Sequence, residues 1–481
     1  MDRPRIVIAG THSGVGKTST TLAIVAALKR RGLTVQTFKV GPDFLDPSYL
    51  TLASERPCYN LDGWMAGKDY VCRLFARASE DADISVIEGV MGLFDGANAT
   101  NSEGSTAEIA CWLNAPVLLI ADAYGTARGL APVVKGHADF EADVHVTGVI
   151  ANRCGSKQHV EWLSESLAAA SLPPLIGAIL VDGFPHLPSR HLGLVTADKG
   201  NLSSTVLDGL ADAFEEYASV DDLLKLARSA PPIHTSAIVN YNIPAPAEKN
   251  GVSIGVAYDE AFHFYYQDLF DELMKRGCRV TFFSPIADTR LPEGLDALYL
   301  GGGYPEVYGA ALSANTGMLS AIQELASSGR VIYAECGGLM YLCRALETRE
   351  GVQYPMVGLI PASTRMLDRL KSLAYVEATL NDDSLWGARG TTLRGHEFHF
   401  SELIDDQTEN TEWKTIYTLK KRRSEATTPE GFQKGRVLAS YTHLHLASHP
   451  EALTYFIDQC RTNQMTLQNN RHESSGKPPG T

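Results

Sequence analysis

The cysteine at position 336 stands where a nucleophile is expected. It lies in the stretch VIYAECGGLMYL, in which an apolar, β-branched run passes into a pair of glycines before apolar residues resume. If a strand ends at Glu335 and a helix begins near Gly338, the thiol occupies a sharp turn, where backbone N–H groups and the start of the helix favour the thiolate. The pattern therefore predicts a reactive thiol on a strand-to-helix corner.

A second chemistry is indicated near the N-terminus by the stretch GTHSGVGKTS. Gly14 and Gly16 allow backbone N–H groups to surround nucleotide phosphates. Lys17 then meets the phosphate charge, and Thr18 holds a magnesium ion. The strict phosphate-loop pattern has a glycine where Thr11 stands, and here the first glycine is one residue earlier. Because the stretch follows a strand-like run and precedes a helix-like one, it predicts a site for ATP and Mg²⁺.

Three carboxylates are candidates for the magnesium shell. Glu88 ends the apolar run in VIEGVMGLFDG, and Asp43 and Asp46 lie in KVGPDFLDP, which follows another strand-like run. Side chains at the carboxyl ends of parallel strands converge on the ligand crevice of an open sheet. The alternative for Asp43 and Asp46 is a structural one, in which each caps a turn around Pro42 and Pro47.

The elements that would position these groups alternate along the chain. Strand-like runs, among them RIVIAG, TVQTFKV, ISVIEGV, APVLLIAD and VTGVIAN, are separated by helix-like stretches such as STTLAIVAALKRRG. This rhythm predicts βαβ units on a parallel sheet. A segment rich in proline and small polar residues, 231–250, reads as a linker between a domain at 1–230 and a second one at 251–460. The patternless residues 461–481 are predicted to be a disordered tail.

Composition narrows the class of protein. The 481 residues suggest two or three domains, and 44% hydrophobic with 20% charged residues is typical of a globular enzyme. A formal net charge of −14 argues against nucleic acid as a partner. No apolar run is long enough for a signal peptide or a membrane span, so we expect a cytoplasmic protein with no membrane partner. The eight cysteines include no C-x-x-C pair, which argues against a disulfide framework or a zinc site.

The first half resembles the dethiobiotin-synthetase branch of P-loop proteins, which activate a carboxylate by phosphoryl transfer. The resemblance rests on the GTxxxxGKT opening and the later strand-end EG. It implies that Asn152, in VIANRCGS, reads the adenine base, with a turn asparagine as the alternative. A partition-type ATPase typically has a lysine where this chain has His12. This difference argues against a partition-type ATPase.

The second half resembles class I glutamine amidotransferases. In that class a glycine-rich turn, here GGGYPE, offers N–H groups to the oxyanion while the corner cysteine attacks the glutamine amide. The candidates for this role are Gly302, Gly303 and the N–H of Gly337. Three histidines, in the segment SYTHLHLASHPE, are candidates for the base, and the His-x-Glu pattern of the class fits the last of them, His449.

Nearly the whole chain is similar to the cobyrinate a,c-diamide synthases. The resemblance is carried by segments in the order that this family uses: KVGPDFLDP, NLDGWM, EGVMGLFDG, LPSRHLGL, DEAFHFYY, GGGYPE, AECGGLMYL, GHEFHFS and SYTHLHLAS. It places the base at the first histidine of the last segment, His443. His445 then stands where other class I enzymes have the orienting glutamate, so the third member of the triad is left open.

The resemblance implies an α/β fold of two doubly wound domains with largely parallel sheets, a P-loop NTPase-like domain followed by a flavodoxin-like class I glutamine amidotransferase domain. It implies ATP- and L-glutamine-dependent amidation of the a- and c-carboxylates of cobyrinate, a tetrapyrrole, through an acyl phosphate. Phe44 and Leu45 would contact the ring, with ordinary packing as the alternative. Arg190 and His191 would meet its carboxylates, with a salt bridge within the domain as the alternative. Hydrogenobyrinate or nickel-sirohydrochlorin as the substrate, the cobyric acid synthase type, and a P-loop ATPase with an inactive regulatory amidotransferase-like module are the alternatives. A homodimer is possible.

Overall fold

A computed structural model describes residues 3–185, 202–233, 251–408 and 411–461. The chain divides into two compact units, Met1–Tyr241 and Asn242–Thr481. This division falls inside the segment predicted to be a linker. Arg190, His191, most of that segment and nearly all of the predicted tail lie outside the described residues.

Seven strands in the described part of the first unit form one sheet in which every neighbouring pair is parallel, in the order β3-β2-β4-β1-β5-β6-β7. The strands are β1 Arg5–Gly10, β2 Val35–Val40, β3 Tyr59–Leu61, β4 Ile84–Glu88, β5 Val117–Asp122, β6 Val146–Cys154 and β7 Leu175–Leu180. The helices are α1 Lys17–Arg30, α2 Leu45–Ser54, α3 Gly63–Ala66, α4 Lys68–Ala78, α5 Thr106–Trp112, α6 Leu130–Asp139, α7 Lys157–Ala169, α8 Ser204–Tyr217 and α9 Val220–Arg228.

Both faces of this sheet are covered by apolar side chains, which explains its nearly continuous hydrophobic strands. All six residues of β1 are buried. Val7 and Ala9 belong to one core cluster, whereas Ile6 and Ile8 belong to a second cluster that includes residues of α1. Alternate residues of one strand thus pack into separate layers, as a doubly wound sheet requires.

Arg5 is a fully buried cation at the start of β1. Its guanidinium donates hydrogen bonds to the carbonyl oxygens of Leu113 (2.7 Å), Arg3 (3.0 Å), Asn114 (3.1 Å) and Pro231 (2.7 Å). Burial lowers the pKa of Arg5 to about 10, so the side chain stays charged at neutral pH. The residue therefore ties β1 to two distant parts of the unit.

We expect Arg5→Met to lower the free energy of unfolding of the first unit by about 2–4 kcal/mol, because one buried and three partly buried hydrogen bonds to carbonyl groups lose their charged donor. Urea unfolding followed by far-UV circular dichroism measures the change. Arg31→Met is the control: Arg31 is partly exposed and pairs with Asp221 at 2.6 Å, so its loss should cost at most about 1 kcal/mol. Equal effects of the two substitutions would contradict a structural role for Arg5.

The second unit contains a ten-stranded sheet among its described residues, in the order β10-β8-β11-β13-β22-β21-β20-β17-β18-β23. Its strands, with those of two smaller sheets, are β8 Ser253–Ala257, β9 Phe262–Phe264, β10 Arg279–Phe283, β11 Ala297–Leu300, β12 Gly302–Gly303, β13 Val331–Glu335, β14 Cys343–Glu347, β15 Gln353–Pro355, β16 Ile360–Met366, β17 Ser372–Leu380, β18 Thr392–His399, β19 Ser401–Ile404, β20 Lys414–Lys421, β21 Thr427–Lys434, β22 Val437–Ser440 and β23 His443–Leu444. The helices are α10 Gln267–Lys275, α11 Gly309–Ala314, α12 Thr316–Ser327 and α13 Gly337–Leu342.

The ten-stranded sheet has two halves. From β10 to β22 the neighbouring strands are parallel, and from β22 to β23 they are antiparallel. The predicted α/β class with two layered units is confirmed, and the antiparallel half is an addition that the sequence patterns did not indicate. None of the helices in the described parts of the chain is long and apolar enough to cross a membrane.

Candidate active site

The phosphate loop lies between β1 and α1, as predicted. Gly14 and Gly16 have φ angles of 80° and 99°, which side-chain-bearing residues rarely adopt. A Cβ atom on Gly16 would also stand 2.4 Å from Nδ2 of Asn152. Asn152 lies two residues before the end of β6 and donates a hydrogen bond from Nδ2 to the Val15 carbonyl oxygen at 2.8 Å. In this structure Asn152 therefore supports the loop, and its contact with adenine stays a prediction.

A cavity of about 550 Å³ opens beside this loop. Its lining includes the predicted residues Gly14, Gly16, Lys17, Thr18, Asp43, Asp46 and Glu88. Lys17 is buried, and its Nζ donates to the carbonyl oxygen of Met91. Burial, and next the neighbouring charge of Lys39, lower the pKa of Lys17 to about 8. A polyanion placed in the cavity would oppose both effects, because it adds negative charge near the amine to that of Glu88 and Asp95.

Glu88 and Thr18 form the centre of the predicted metal site. The Thr18 hydroxyl donates to Oε1 of Glu88 at 2.7 Å. Among the described residues, the other carboxylate oxygen of Glu88, Oε2, is buried and has no hydrogen-bond partner. A buried carboxylate oxygen beside a hydroxyl is a donor set that fits Mg²⁺, which takes few protein ligands and completes its shell with phosphate and water oxygens.

Lys39 is a site residue that sequence reasoning missed. Its Nζ lies 2.7 Å from Oδ2 of Asp46 and 3.0 Å from Oε1 of Glu88, and all three side chains are buried. A lysine in the otherwise largely apolar strand VQTFKV was the available signal. Asp46, predicted as a metal ligand, is thus held in an ion pair in this structure.

Asp43 caps the turn at the start of α2, which was the alternative to its predicted role as a metal ligand. It also lines the cavity. Its Oδ1 accepts hydrogen bonds from the backbone N–H groups of Leu45 (2.7 Å) and Asp46 (3.0 Å) at the start of α2. Phe44 and Leu45 lie beside it and are half-buried. Within the described residues, no group of three or more His, Cys, Asp or Glu side chains could hold a metal ion. Magnesium coordination by Asp43 and Asp46 and ring contact by Phe44 and Leu45 stay predictions.

The second unit places Cys336 on the strained corner between β13 and α13. The residue has φ 47° and ψ −102°, an uncommon backbone conformation for a residue with a side chain. Its backbone N–H donates to the Ser440 carbonyl oxygen at 2.7 Å, which ties the corner to β22. The thiol is largely buried, with 6% of the residue exposed. The strand, tight turn and helix together form a nucleophile elbow.

Glycines surround this corner because other residues would not fit. A Cβ atom on Gly302 would lie 2.5 Å from Cε1 of His443, and one on Gly303 would lie 2.0 Å from the Ala261 carbonyl oxygen. A Cβ atom on Gly337 would lie 3.1 Å from the backbone nitrogen of Gly303. The three predicted oxyanion residues therefore lie together beside the thiol and its histidine. Their N–H groups as an oxyanion hole stay a prediction.

His443 is the histidine that reaches the thiol. It begins β23, is buried, and hydrogen-bonds with Cys336. Its ring stacks on His396 with the centroids 5.0 Å apart. Burial opposes protonation of His443, but the hydrogen bond with Cys336 and the nearby carboxylate of Glu335 raise its pKa to about 10. The raised pKa keeps the His443 imidazole protonated at neutral pH. A protonated imidazole beside the thiol can stabilise the thiolate that attacks an amide carbon.

The other two candidate histidines have different surroundings. His445 is buried, its Nε2 lies 3.7 Å from Oδ2 of Asp268, and its ring packs against Tyr266. His449 is half-buried and follows a short 3-10 helix. His445 takes the sequence position of the usual orienting glutamate, and Asp268 is the carboxylate that faces it.

A carboxylate from another position faces His443. Oε2 of Glu335 lies 3.6 Å from Nδ1 of His443, and the Glu335 side chain is buried. The sequence patterns singled out the cysteine and missed the acidic residue directly before it. The available signal was a charged residue at the end of the apolar run VIYAE.

Comparisons with known proteins identify the kind of domain in each half of the chain. A family model described as the CobQ/CobB/MinD/ParA nucleotide binding domain matches residues 6–193, and one described as the CobB/CobQ-like glutamine amidotransferase domain matches residues 253–451. A protein of Syntrophotalea carbinolica named cobyrinate a,c-diamide synthase is 53% identical over 96% of this chain and 99% of its own. Proteins of the same name from Leptospira interrogans and Priestia megaterium are 42% and 36% identical over 95% and 96% of this chain, and 98% of each relative is covered.

The relatives match almost the full length of the chain, and the two family models cover the nucleotide-binding and the glutamine-binding units separately. The predicted order, a P-loop domain followed by a class I-type amidotransferase domain, is confirmed. The chain therefore belongs to the cobyrinate a,c-diamide synthase family and is an enzyme, a glutamine-hydrolysing ligase.

Proposed function

We propose that this enzyme uses ATP and glutamine to convert the a- and c-carboxylates of cobyrinate into amides. The observation that carries the proposal is the contact between Cys336 and His443 in a chain whose other unit has a phosphate-loop cavity. The relatives' shared name supplies the ring and the positions. Cobyrinate, rather than another tetrapyrrole, is thus proposed from similarity.

The first unit would activate the carboxylate. A carboxylate oxygen attacks the γ-phosphorus of ATP, ADP leaves, and an acyl phosphate forms, which ammonia then converts to the amide with release of phosphate. Lys17 is placed to meet the phosphate charge, since it lines the cavity and its amine is buried. Thr18 and Glu88 would hold Mg²⁺, which supplies positive charge to the transferred group when bound. Lys39 keeps Asp46 and Glu88 together at the cavity wall.

The second unit would release the ammonia. The Cys336 thiolate attacks the side-chain amide carbon of glutamine, and N–H groups near Gly303 and Gly337 stabilise the oxyanion. The imidazolium of His443 donates its proton to the leaving nitrogen, so ammonia departs and a thioester remains. The neutral imidazole then takes a proton from water, which hydrolyses the thioester to glutamate and restores the thiol.

Substrate identity is tested by incubating the purified enzyme with ATP, Mg²⁺, glutamine and one tetrapyrrole at a time. Cobyrinate is expected to gain two amides, each detected by mass spectrometry as the replacement of a hydroxyl by an amino group, with one ADP formed per amide. Hydrogenobyrinate and nickel-sirohydrochlorin serve as competing substrates. A higher kcat/KM for either of them, or mass gains at other ring positions, would refute cobyrinate a,c-diamidation.

A further inference from the structure

We infer that Glu335 is the positioning residue for His443 and completes the group that hydrolyses glutamine. The inference rests on the proposed roles of Cys336 and His443 and adds the member that the sequence position of His445 left open. It assigns the orienting carboxylate to the residue directly before the nucleophile.

The geometry around Glu335 supports this role. Both carboxylate oxygens are anchored: the Tyr299 hydroxyl donates to Oε2 at 2.9 Å, and the Tyr333 hydroxyl donates to Oε1 at 2.6 Å. The backbone N–H of Leu444, the residue after His443, also donates to Oε1 at 3.1 Å. One buried carboxylate therefore holds both the imidazole and the backbone that carries it. The 3.6 Å between Oε2 and Nδ1 is longer than a hydrogen bond but suits a charge pair that tightens with substrate.

The alternative orienting group has a different partner. His445 occupies the sequence position of the usual glutamate, but its Nε2 faces Oδ2 of Asp268 at 3.7 Å. Asp268 and Glu335 are equally buried, each with 3% of the residue exposed. Among the described residues, Glu335 and Asp268 are thus buried carboxylates at nearly the same distance from a histidine, and the histidine near Glu335 is the one that hydrogen-bonds with Cys336.

A carboxylate at Nδ1 selects the useful form of the imidazole. It favours a proton on Nδ1, so that Nε2 is left to exchange a proton with the thiol. It also stabilises the imidazolium that accompanies the thiolate. An amide in its place can present an N–H group to Nδ1 and favour the opposite tautomer. Glu335→Gln should therefore damage catalysis while nearly preserving the shape of the side chain.

The test compares Glu335→Gln with Asp268→Asn in the full chain. For Glu335→Gln we expect kcat for glutamine hydrolysis to fall by about 10²–10⁴-fold, with KM for glutamine changed less than about threefold and ammonia-dependent amidation retained. Asp268→Asn should leave glutamine hydrolysis within about threefold of the wild type. Tyr299→Phe, which removes one donor and keeps the carboxylate, should give an intermediate loss. Tryptophan fluorescence during urea unfolding checks that each variant is folded.

The pH dependence separates positioning from folding. In the part of the chain that the structure describes, the titratable groups facing His443 include Cys336 and Glu335 from the β13 corner and His396 and His399 from β18. Burial lowers the pKa of both His396 and His399, so they add little positive charge at neutral pH. The raised pKa of His443 means that its proton is present at neutral pH and lost as the pH rises through about 10. In Glu335→Gln this alkaline loss of glutaminase activity should move down by about one pH unit or more.

The outcomes distinguish a failure of the role of Glu335 from a failure of the proposed function. If Cys336→Ala abolishes glutamine use while Glu335→Gln keeps the wild-type kcat and alkaline limb, Glu335 has no positioning role and the proposed function stands. If Asp268→Asn causes the large loss and moves the alkaline limb, the orienting group is His445 with its partner Asp268, and not Glu335. If Cys336→Ala still uses glutamine, the proposed site itself is wrong.

Discussion

Cys336→Ala is expected to lose glutamine-dependent amidation by at least about 10³-fold while retaining amidation with added ammonium salts. The reason is that the thiolate forms the only covalent bond in the proposed release of ammonia, and no methyl group can replace it. The thiol lies on the strained corner and hydrogen-bonds with His443, so its removal leaves the histidine without a nucleophile. Glutamate release and ring amidation, measured in the same reactions, separate the two steps.

Cys343→Ala is the matched control for this experiment. Cys343 is a buried thiol seven residues further along, directly after α13, and burial raises its pKa. We expect this substitution to keep glutamine use near the wild-type rate, because the thiol has only a packing role. Loss of ammonia-dependent amidation in Cys336→Ala would instead show that the cysteine acts in the ligase step.

Lys17→Met is expected to lower amidation by about 10²–10³-fold with glutamine and with ammonia alike. Lys17 is a buried cation that lines the phosphate-loop cavity, and the proposed acyl phosphate is needed whichever source supplies the nitrogen. Formation of ADP under both conditions gives the measurement. Lys29→Met is the control, since Lys29 lies in the last turn of the same helix and pairs with Glu55 at 2.8 Å. Normal ammonia-dependent rates in Lys17→Met would contradict the assignment.

The stability of Lys17→Met should distinguish lost catalysis from lost structure. The pKa of Lys17 is lowered to about 8 by burial first and by Lys39 next, so its charge is unfavourable in the folded protein without nucleotide. This penalty is complete below pH 8 and disappears as the pH rises above the ordinary value of 10.5. The variant should therefore be no less stable than the wild type at pH 7, and any advantage should vanish near pH 10.5. Urea unfolding without ATP measures this difference.

The phosphate loop could be predicted because its parts are adjacent in the sequence. The spacing of Gly14, Gly16 and Lys17, between a strand-like and a helix-like run, predicts a loop that precedes a helix, and the structure begins α1 at Lys17. Lys39 could not be predicted in the same way, because its partners Asp46 and Glu88 come from two other segments. A buried lysine is tolerated only when such partners exist. The positions of these partners depend on the tertiary structure.

The second unit shows the same contrast. Cys336 was predicted from its glycine neighbours, but the antiparallel half of the sheet consists of strands such as β17 and β20, whose polar and apolar residues mix. Glu335 was overlooked because its meaning depends on Tyr299, Tyr333 and the backbone at Leu444, which are distant in the sequence or unremarkable in composition.

The left-handed turn of the backbone at Cys336 has a further consequence. Side chains of consecutive strand residues point to opposite faces of a sheet. Glu335 and Cys336 are consecutive, yet both reach His443. The turn of the backbone at Cys336, where φ is 47°, brings these two neighbouring side chains to the same imidazole. A substitution elsewhere that let residue 336 adopt an extended backbone would move the Cys336 thiol away from the Glu335 carboxylate. The site would then be lost although both side chains were still present.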